Sequence, residues 1–180
     1  HKAFIDGLHQ PHLRPSANDW ETALVKTMDL IQPCANPKCA QKWYVFDNST
    51  KPACPFCGTA YHGLLPVLNL YSRRRAADPY KSDNHRLMVY TDQYLYPWHV
   101  NRLITPNERL TPEEKKPVGY FVLHQGTWWF INQTLPAMKD ITNKCDIPPG
   151  SKIELKDGLQ LLLSPEDNCR LVQVQMVKGA

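Results

Sequence analysis

Four cysteines constrain this chain more than any other feature. Cys34, Cys39, Cys54 and Cys57 stand as C-x4-C, fourteen residues, then C-x2-C within PCANPKCAQKWYVFDNSTKPACPFCG. Two cysteine pairs on tight turns, joined by a hairpin-like run, are what a tetrahedral zinc site requires, because each pair offers two thiolates to one ion. Pro37 lies inside the first pair, and Pro55 and Gly58 shape the second. Trp43–Phe46 has the aromatic and β-branched content of a strand, and Asp47-Asn48-Ser49 that of a hairpin tip.

Other uses of these thiols are open but explain less. Two disulfides would suit a cysteine-dense secreted framework, which this chain lacks. A redox Cys54–Cys57 motif would leave Cys34 and Cys39 without a role. His62 is the alternative fourth ligand. Four thiolates leave no open coordination position, so the expected Zn2+ is structural. Cys145 and Cys169 stand alone and read as ordinary residues.

The chain has 180 residues, of which 42% are hydrophobic, with a net charge of +4. That suffices for one moderate core and a small satellite module. Arg73-Arg74-Arg75 is the one basic cluster, without the interleaved aromatics of a nucleic-acid surface, so it reads as a solvated loop. No apolar run reaches membrane-spanning length and no signal peptide is visible, which sets a cytoplasmic expectation. The chain opens at His1 rather than methionine, which reads as a piece of a longer protein.

Three segments follow, and the fold class expected is mainly β with a short helical start. Residues 1–32 are helical: Ser16 is an N-cap with Asp19 three residues on, and Trp20, Leu24, Thr27, Met28 and Ile31 recur at helical spacing, predicting a helix over Ala17–Ile31. Such a stripe needs a surface to cover. Residues 33–65 form the zinc ribbon, too small to fold on a hydrophobic core, so metal supplies about 10 kcal/mol or more. Residues 66–180 read as a β-sandwich. Its predicted strands are Val67–Tyr71, Arg86–Tyr90, Trp98–Ile104, Gly119–His124, Thr127–Asn132, Lys152–Leu155, Gln160–Ser164 and Leu171–Val177. Gln125-Gly126 signals a tight hairpin. Thr105–Pro117, reading TPNERLTPEEKKP, is a polar insertion expected as a loop.

No residue set reads as an active site: there is no nucleophile elbow, no Gly-rich phosphate loop, and the seven histidines are scattered. Trp128-Trp129 is the notable aromatic pair. Strand neighbours face opposite ways, so one enters the core and the other faces outward as a contact residue or lies under a loop. Trp128 is taken as the candidate contact.

Resemblances extend this reading. Phe4–Ile31, reading FIDGLHQPHLRPSANDWETALVKTMDLI, resembles the last helices of a protein kinase catalytic lobe, with Arg14-Pro15-Ser16 as the Arg-Pro-(Ser/Thr) loop before the closing helix. The Gly-rich loop, catalytic lysine, HRD loop and DFG motif are absent, so the chain itself is not expected to be an enzyme. The third segment resembles a divergent forkhead-associated (FHA) domain. His99 in LYPWH matches the Ser-x-x-His turn with the Ser replaced, Gly126–Asn132 resembles the nGTfvN run, and Leu155–Gly158 takes the place of the L-x-dGD turn. The Gly-Arg that opens the family's phosphopeptide site has no counterpart here.

In this order the three segments look like the C-terminal region of bacterial serine/threonine kinases from tellurite-resistance (TerY-type) operons, which also encode a von Willebrand factor A (vWA) domain protein and a metal-dependent protein phosphatase. The resemblance implies a docking and regulatory module for the vWA protein, whose Mg2+ adhesion site accepts a partner carboxylate. The phosphatase is a further expected partner. Candidate contacts are His99, Trp128, Asn132 and Asp47, with Asp83 and Asp92 as other turn acids. The alternatives are a phosphothreonine reader and a nucleic-acid-binding ribbon.

Overall fold

The computed structural model describes residues 1–46 and 51–179. The expected hairpin tip at Asp47-Asn48-Ser49, and with it the candidate contact Asp47, lies outside the described residues.

The protein is mainly β, with a short helical start and a cluster of four cysteines. Helical turns at Lys2–Asp6 and Pro11–Leu13 precede α1, Ala17–Met28. The Arg14 guanidinium folds back on the first turn, donating to the carbonyls of Gly7 at 2.7 Å and Leu8 at 2.9 Å. Ser16 caps α1 as expected: the Asp19 N–H donates to Ser16 Oγ at 3.2 Å, and the Ser16 N–H donates to the Asp19 carboxylate at 2.8 Å. α1 ends three residues early, because Ile31 is taken by strand β1, Ile31–Pro33, paired antiparallel with β2, Trp43–Val45.

The apolar stripe of α1 does not cover a surface. Trp20, Leu24 and Met28 are exposed, and α1 buries no residue. Its last turn is held instead by polar contacts from the neighbouring face. Lys26 Nζ donates to the carbonyls of Asp83 and Asn84 at 3.1 and 3.0 Å. The helix is thus pinned at one end with its apolar row open.

Two antiparallel sheets form the larger body. Strands β3 (Leu64–Ser72), β4 (Lys81–Met88), β8 (Lys139–Asp140), β9 (Cys145–Asp146), β11 (Gln160–Leu162) and β12 (Arg170–Lys178) make a six-stranded sheet in the order β4-β3-β12-β11-β8-β9. Strands β5 (Tyr94–Leu95), β6 (Gly119–His124), β7 (Thr127–Asn132) and β10 (Lys152–Glu154) make a four-stranded sheet in the order β10-β7-β6-β5. The core includes Leu68, Leu70, Leu87, Phe121, Phe130 and Val172, contributed by both sheets. The Trp128 indole N–H donates to the Leu64 carbonyl at 2.7 Å, tying β7 to β3 across that core.

The β6–β7 hairpin falls where expected because Gln125 and Gly126 both take positive φ, 51° and 78°, as a tight two-residue turn demands. The strand expected at Trp98–Ile104 is replaced by α2, Pro97–Val100. Pro97 sits in the first turn of that helix, where its missing N–H costs nothing, and the Trp98 ring stacks on Tyr96 at 4.3 Å. Arg170 Nη1 then donates to the Trp98 carbonyl at 2.6 Å, fixing the turn on the six-stranded sheet. Thr105–Pro117 carries no strand. No helix among the described residues is long and apolar enough to cross a membrane.

Candidate metal centre

The two cysteine pairs are brought together by backbone turns that depend on specific residues. After β1, the Asn36 N–H donates to Cys34 Sγ at 3.4 Å, and Asn36 Oδ1 accepts from the Lys38 N–H at 2.9 Å. The Cys39 N–H then donates to the Asn36 carbonyl at 3.0 Å. The second turn closes with the Gly58 N–H donating to the Cys54 carbonyl at 2.8 Å, at a φ of 72° that glycine takes freely. The Cys54 N–H donates to the Thr59 carbonyl at 2.9 Å, and Ala53 bridges Ala60. β2 returns to β1 between the turns, which places one pair over the other.

All four sulfurs lie within 4.8 Å of one another. Cys34 Sγ is 3.6 Å from Cys57 Sγ, and Cys39 Sγ is 3.9 Å from Cys54 Sγ. A disulfide would hold sulfurs about 2 Å apart, and all four cysteines are free. An ion about 2.3 Å from each of four tetrahedral sulfurs separates them by roughly 3.8 Å. The donor set therefore fits a single tetrahedral metal ion.

The thiols differ in acidity. For Cys34, the Asn36 N–H favours the thiolate, but desolvation and hydrogen bonds with the other three sulfurs outweigh it and push the group up to about 12. Cys57 is drawn down to about 6, first by the Thr59 hydroxyl, 3.3 Å from its sulfur, and then by the Thr59 main chain. A bound cation must displace the remaining thiol protons, so occupancy competes with protons.

The cluster is seated on the six-stranded sheet. Cys39, Cys54, Tyr44 and Phe46 form a small apolar cluster with Val67 of β3 and Met88 of β4. The Phe46 N–H donates to the Leu30 carbonyl at 2.8 Å, and the buried Gln32 amide donates to the Val89 carbonyl at 3.1 Å. The cysteine module thus sits at the junction of α1 and the six-stranded sheet.

The other candidate residues lie elsewhere. His99 is 3% exposed, Trp128 3% and Asn132 0%. The Asn132 amide donates to the carbonyls of Leu135 and Ile147 and accepts from the Leu135 N–H, bracing a turn. Trp128 is the inward member of its pair, while Trp129 lies outside with the Lys152 ammonium 4.6 Å from its ring centroid. All three side chains are buried and hydrogen-bonded within the chain. Asp83 is not a free turn acid: it lies on β4, bound by Arg170 Nε at 2.6 Å and Ser72 Oγ at 2.5 Å. Asp92 is exposed on a turn.

One cluster escaped the sequence reading. Asp29, after α1, accepts from His85 Nε2 at 2.5 Å and His99 Nε2 at 3.2 Å, with all three residues buried. The Tyr96 N–H donates to His99 Nδ1 at 3.0 Å, which turns Nε2 of that ring toward Asp29. Burial alone would raise the Asp29 carboxyl, but the two imidazole hydrogen bonds overcome it and hold the group at about 2. No motif marks residues 56 and 70 positions from their shared partner.

The chain matches no family model, no curated protein and no solved structure.

Proposed function

We propose that this chain is a non-catalytic docking and regulatory module, in which a structural Zn2+ on Cys34, Cys39, Cys54 and Cys57 fixes the joint between a helix and an FHA-like sandwich. The observation that carries the reading is the closed four-sulfur cluster seated against β3 and β4. Four thiolates complete the coordination of a tetrahedral ion and leave no position for substrate. Zinc there supplies folding energy to a module whose own apolar cluster is small.

The setting supports a place at the end of a bacterial kinase of the TerY type. The exposed row Trp20, Leu24 and Met28 is the face a closing helix would present to the remainder of a lobe. The two antiparallel sheets, with GTWWFIN on the central β7, support the FHA-like reading of the third segment. The partner in this reading is the vWA-domain protein, with Asp92 as an exposed carboxylate for its Mg2+, and the phosphatase acts in the same assembly. Titrating the purified chain with the purified vWA protein, with and without added Mg2+, tests it. Saturable binding that strengthens with Mg2+ is expected; no binding in either condition sinks the docking reading.

One observation favours phosphothreonine recognition as a second reading. Arg73, Arg74, Lys81 and Arg102, with Asp78 and Asp83 among them, line a cleft of about 530 Å³ beside Ser72. Guanidinium groups suit phosphate oxygens through charge-assisted hydrogen bonds. Binding of phosphothreonine peptides but not their unphosphorylated forms, lost in Arg74→Ala, would establish it.

A further inference from the structure

A cavity of about 300 Å³ opens beside the Asp29 cluster, between the last turn of α1, the turn into β5, and α2. Aromatic rings make up much of its wall: Tyr90, Tyr94, Tyr96 and Trp98. Tyr96 and Trp98 are stacked with their planes 8° apart, and Tyr94 stands at 59° to Tyr96 with centroids 6.3 Å apart. Tyr90 is buttressed edge-on by Trp43 of β2 at 5.3 Å, so one wall leans on the cysteine module. Asp29 and Asp92 are the acids of the lining, and among the described residues no Lys or Arg lines it.

We propose that this cavity binds an alkylated ammonium group. The faces of tyrosine and tryptophan rings carry partial negative charge and attract organic cations by about 0.5–2 kcal/mol. The acids set the sign of the field. Asp29 is held by the His85 and His99 imidazoles, and Asp92 is an exposed carboxylate of the lining. An anion meets two carboxylates, and an uncharged apolar guest forgoes the attraction of both acids and rings. The volume lies at the small end of ligand pockets, enough for a trimethylammonium head and a short stem. Two chemical sources share this group: a free small cation of the choline kind, and a methylated lysine side chain of a polypeptide.

The test titrates the full chain with choline, with its uncharged isostere 3,3-dimethylbutan-1-ol, and with a peptide carrying trimethyllysine, following tryptophan fluorescence and heat. At least one cation is expected to saturate the site, with the alcohol about tenfold weaker, the factor that corresponds to the mid-range of ring–cation attraction. Tyr94→Leu, at a ring 45% exposed and therefore of little consequence for folding, is expected to weaken cation binding by about fivefold or more. Asp92→Asn is expected to weaken the cations and leave the alcohol unchanged. Tighter binding of the peptide than of choline assigns the source to a polypeptide, and the reverse order to a free cation. Equal affinity for the alcohol and the cations, or no saturation by either cation at about 20 mM, far above the micromolar-to-millimolar range of real sites, overturns the proposal.

Discussion

Asp29→Asn probes how α1 and the cysteine module are fastened to the larger two-sheet body. The Asp29 carboxylate accepts from both His85 and His99, and its main-chain carbonyl accepts from the Met88 N–H at 2.7 Å. Its carboxyl ionises at about 2 in the folded chain against an ordinary 3.8. At 1.36 kcal/mol per pK unit, that difference favours the ionised folded state by about 2 kcal/mol. The amide keeps one acceptor but turns an NH2 toward the second imidazole, leaving a buried donor unpaired at about 1–3 kcal/mol. The expected loss is about 2–3 kcal/mol at neutral pH, or a Tm lower by about 5–10 °C for a chain of this size. Urea unfolding followed by tryptophan fluorescence measures it. The pH dependence gives a second reading. A depressed carboxyl stabilises the fold above its unfolded value and loses that contribution as pH falls through its folded value. The native chain should therefore lose about 2 kcal/mol more than Asp29→Asn between pH 4 and pH 2. A variant within about 0.5 kcal/mol of the native chain at neutral pH, or parallel acid profiles, refutes the argument.

Other expectations follow from the same geometry. Cys57→Ser leaves three thiolates, so metal affinity should fall and the β1–β2 module should lose amide-exchange protection while β6 and β7 keep theirs; uniform exchange across both regions would contradict a separable metal-stabilised module. Acidification should release the metal with uptake of protons by the four sulfurs, seen as a pH-dependent metal affinity; an affinity flat between pH 5 and pH 8 counts against thiolate ligation. Gly119→Ala places a methyl against the Phe130 ring and 2.6 Å from the Ile131 carbonyl oxygen, and should cost about 1–3 kcal/mol by overpacking; a neutral result in thermal unfolding would mean that β6 and β7 are farther apart there.

What the sequence made legible was local. The cysteine spacing suits metal ligation by its local geometry alone, so it could be read without knowing the fold. The β6–β7 hairpin was readable because a two-residue turn with two positive φ values leaves its mark in Gln125-Gly126. Alternation predicted that Trp128 and Trp129 face opposite ways, but which faces inward depends on the packing of β7 over β3, a nonlocal matter. Trp98-His99-Val100 has strand composition, yet a first-turn proline and ring stacking made it a helical turn. The apolar row on α1 had the right period but met no partner surface, because Lys26 and Asp29 on another face supplied the attachment. The Asp29–His85–His99 cluster left no trace in spacing, since side chains so far apart in the chain meet only once the sheets have formed.

Metal content tests the central claim most directly. The chain, purified without chelator and reduced, is expected to carry one Zn2+ per molecule by mass spectrometry of the intact native protein, and to lose it in Cys39→Ser or Cys54→Ser. A native chain with no bound metal, or one in which Cys34, Cys39, Cys54 and Cys57 are paired as disulfides, would contradict the account.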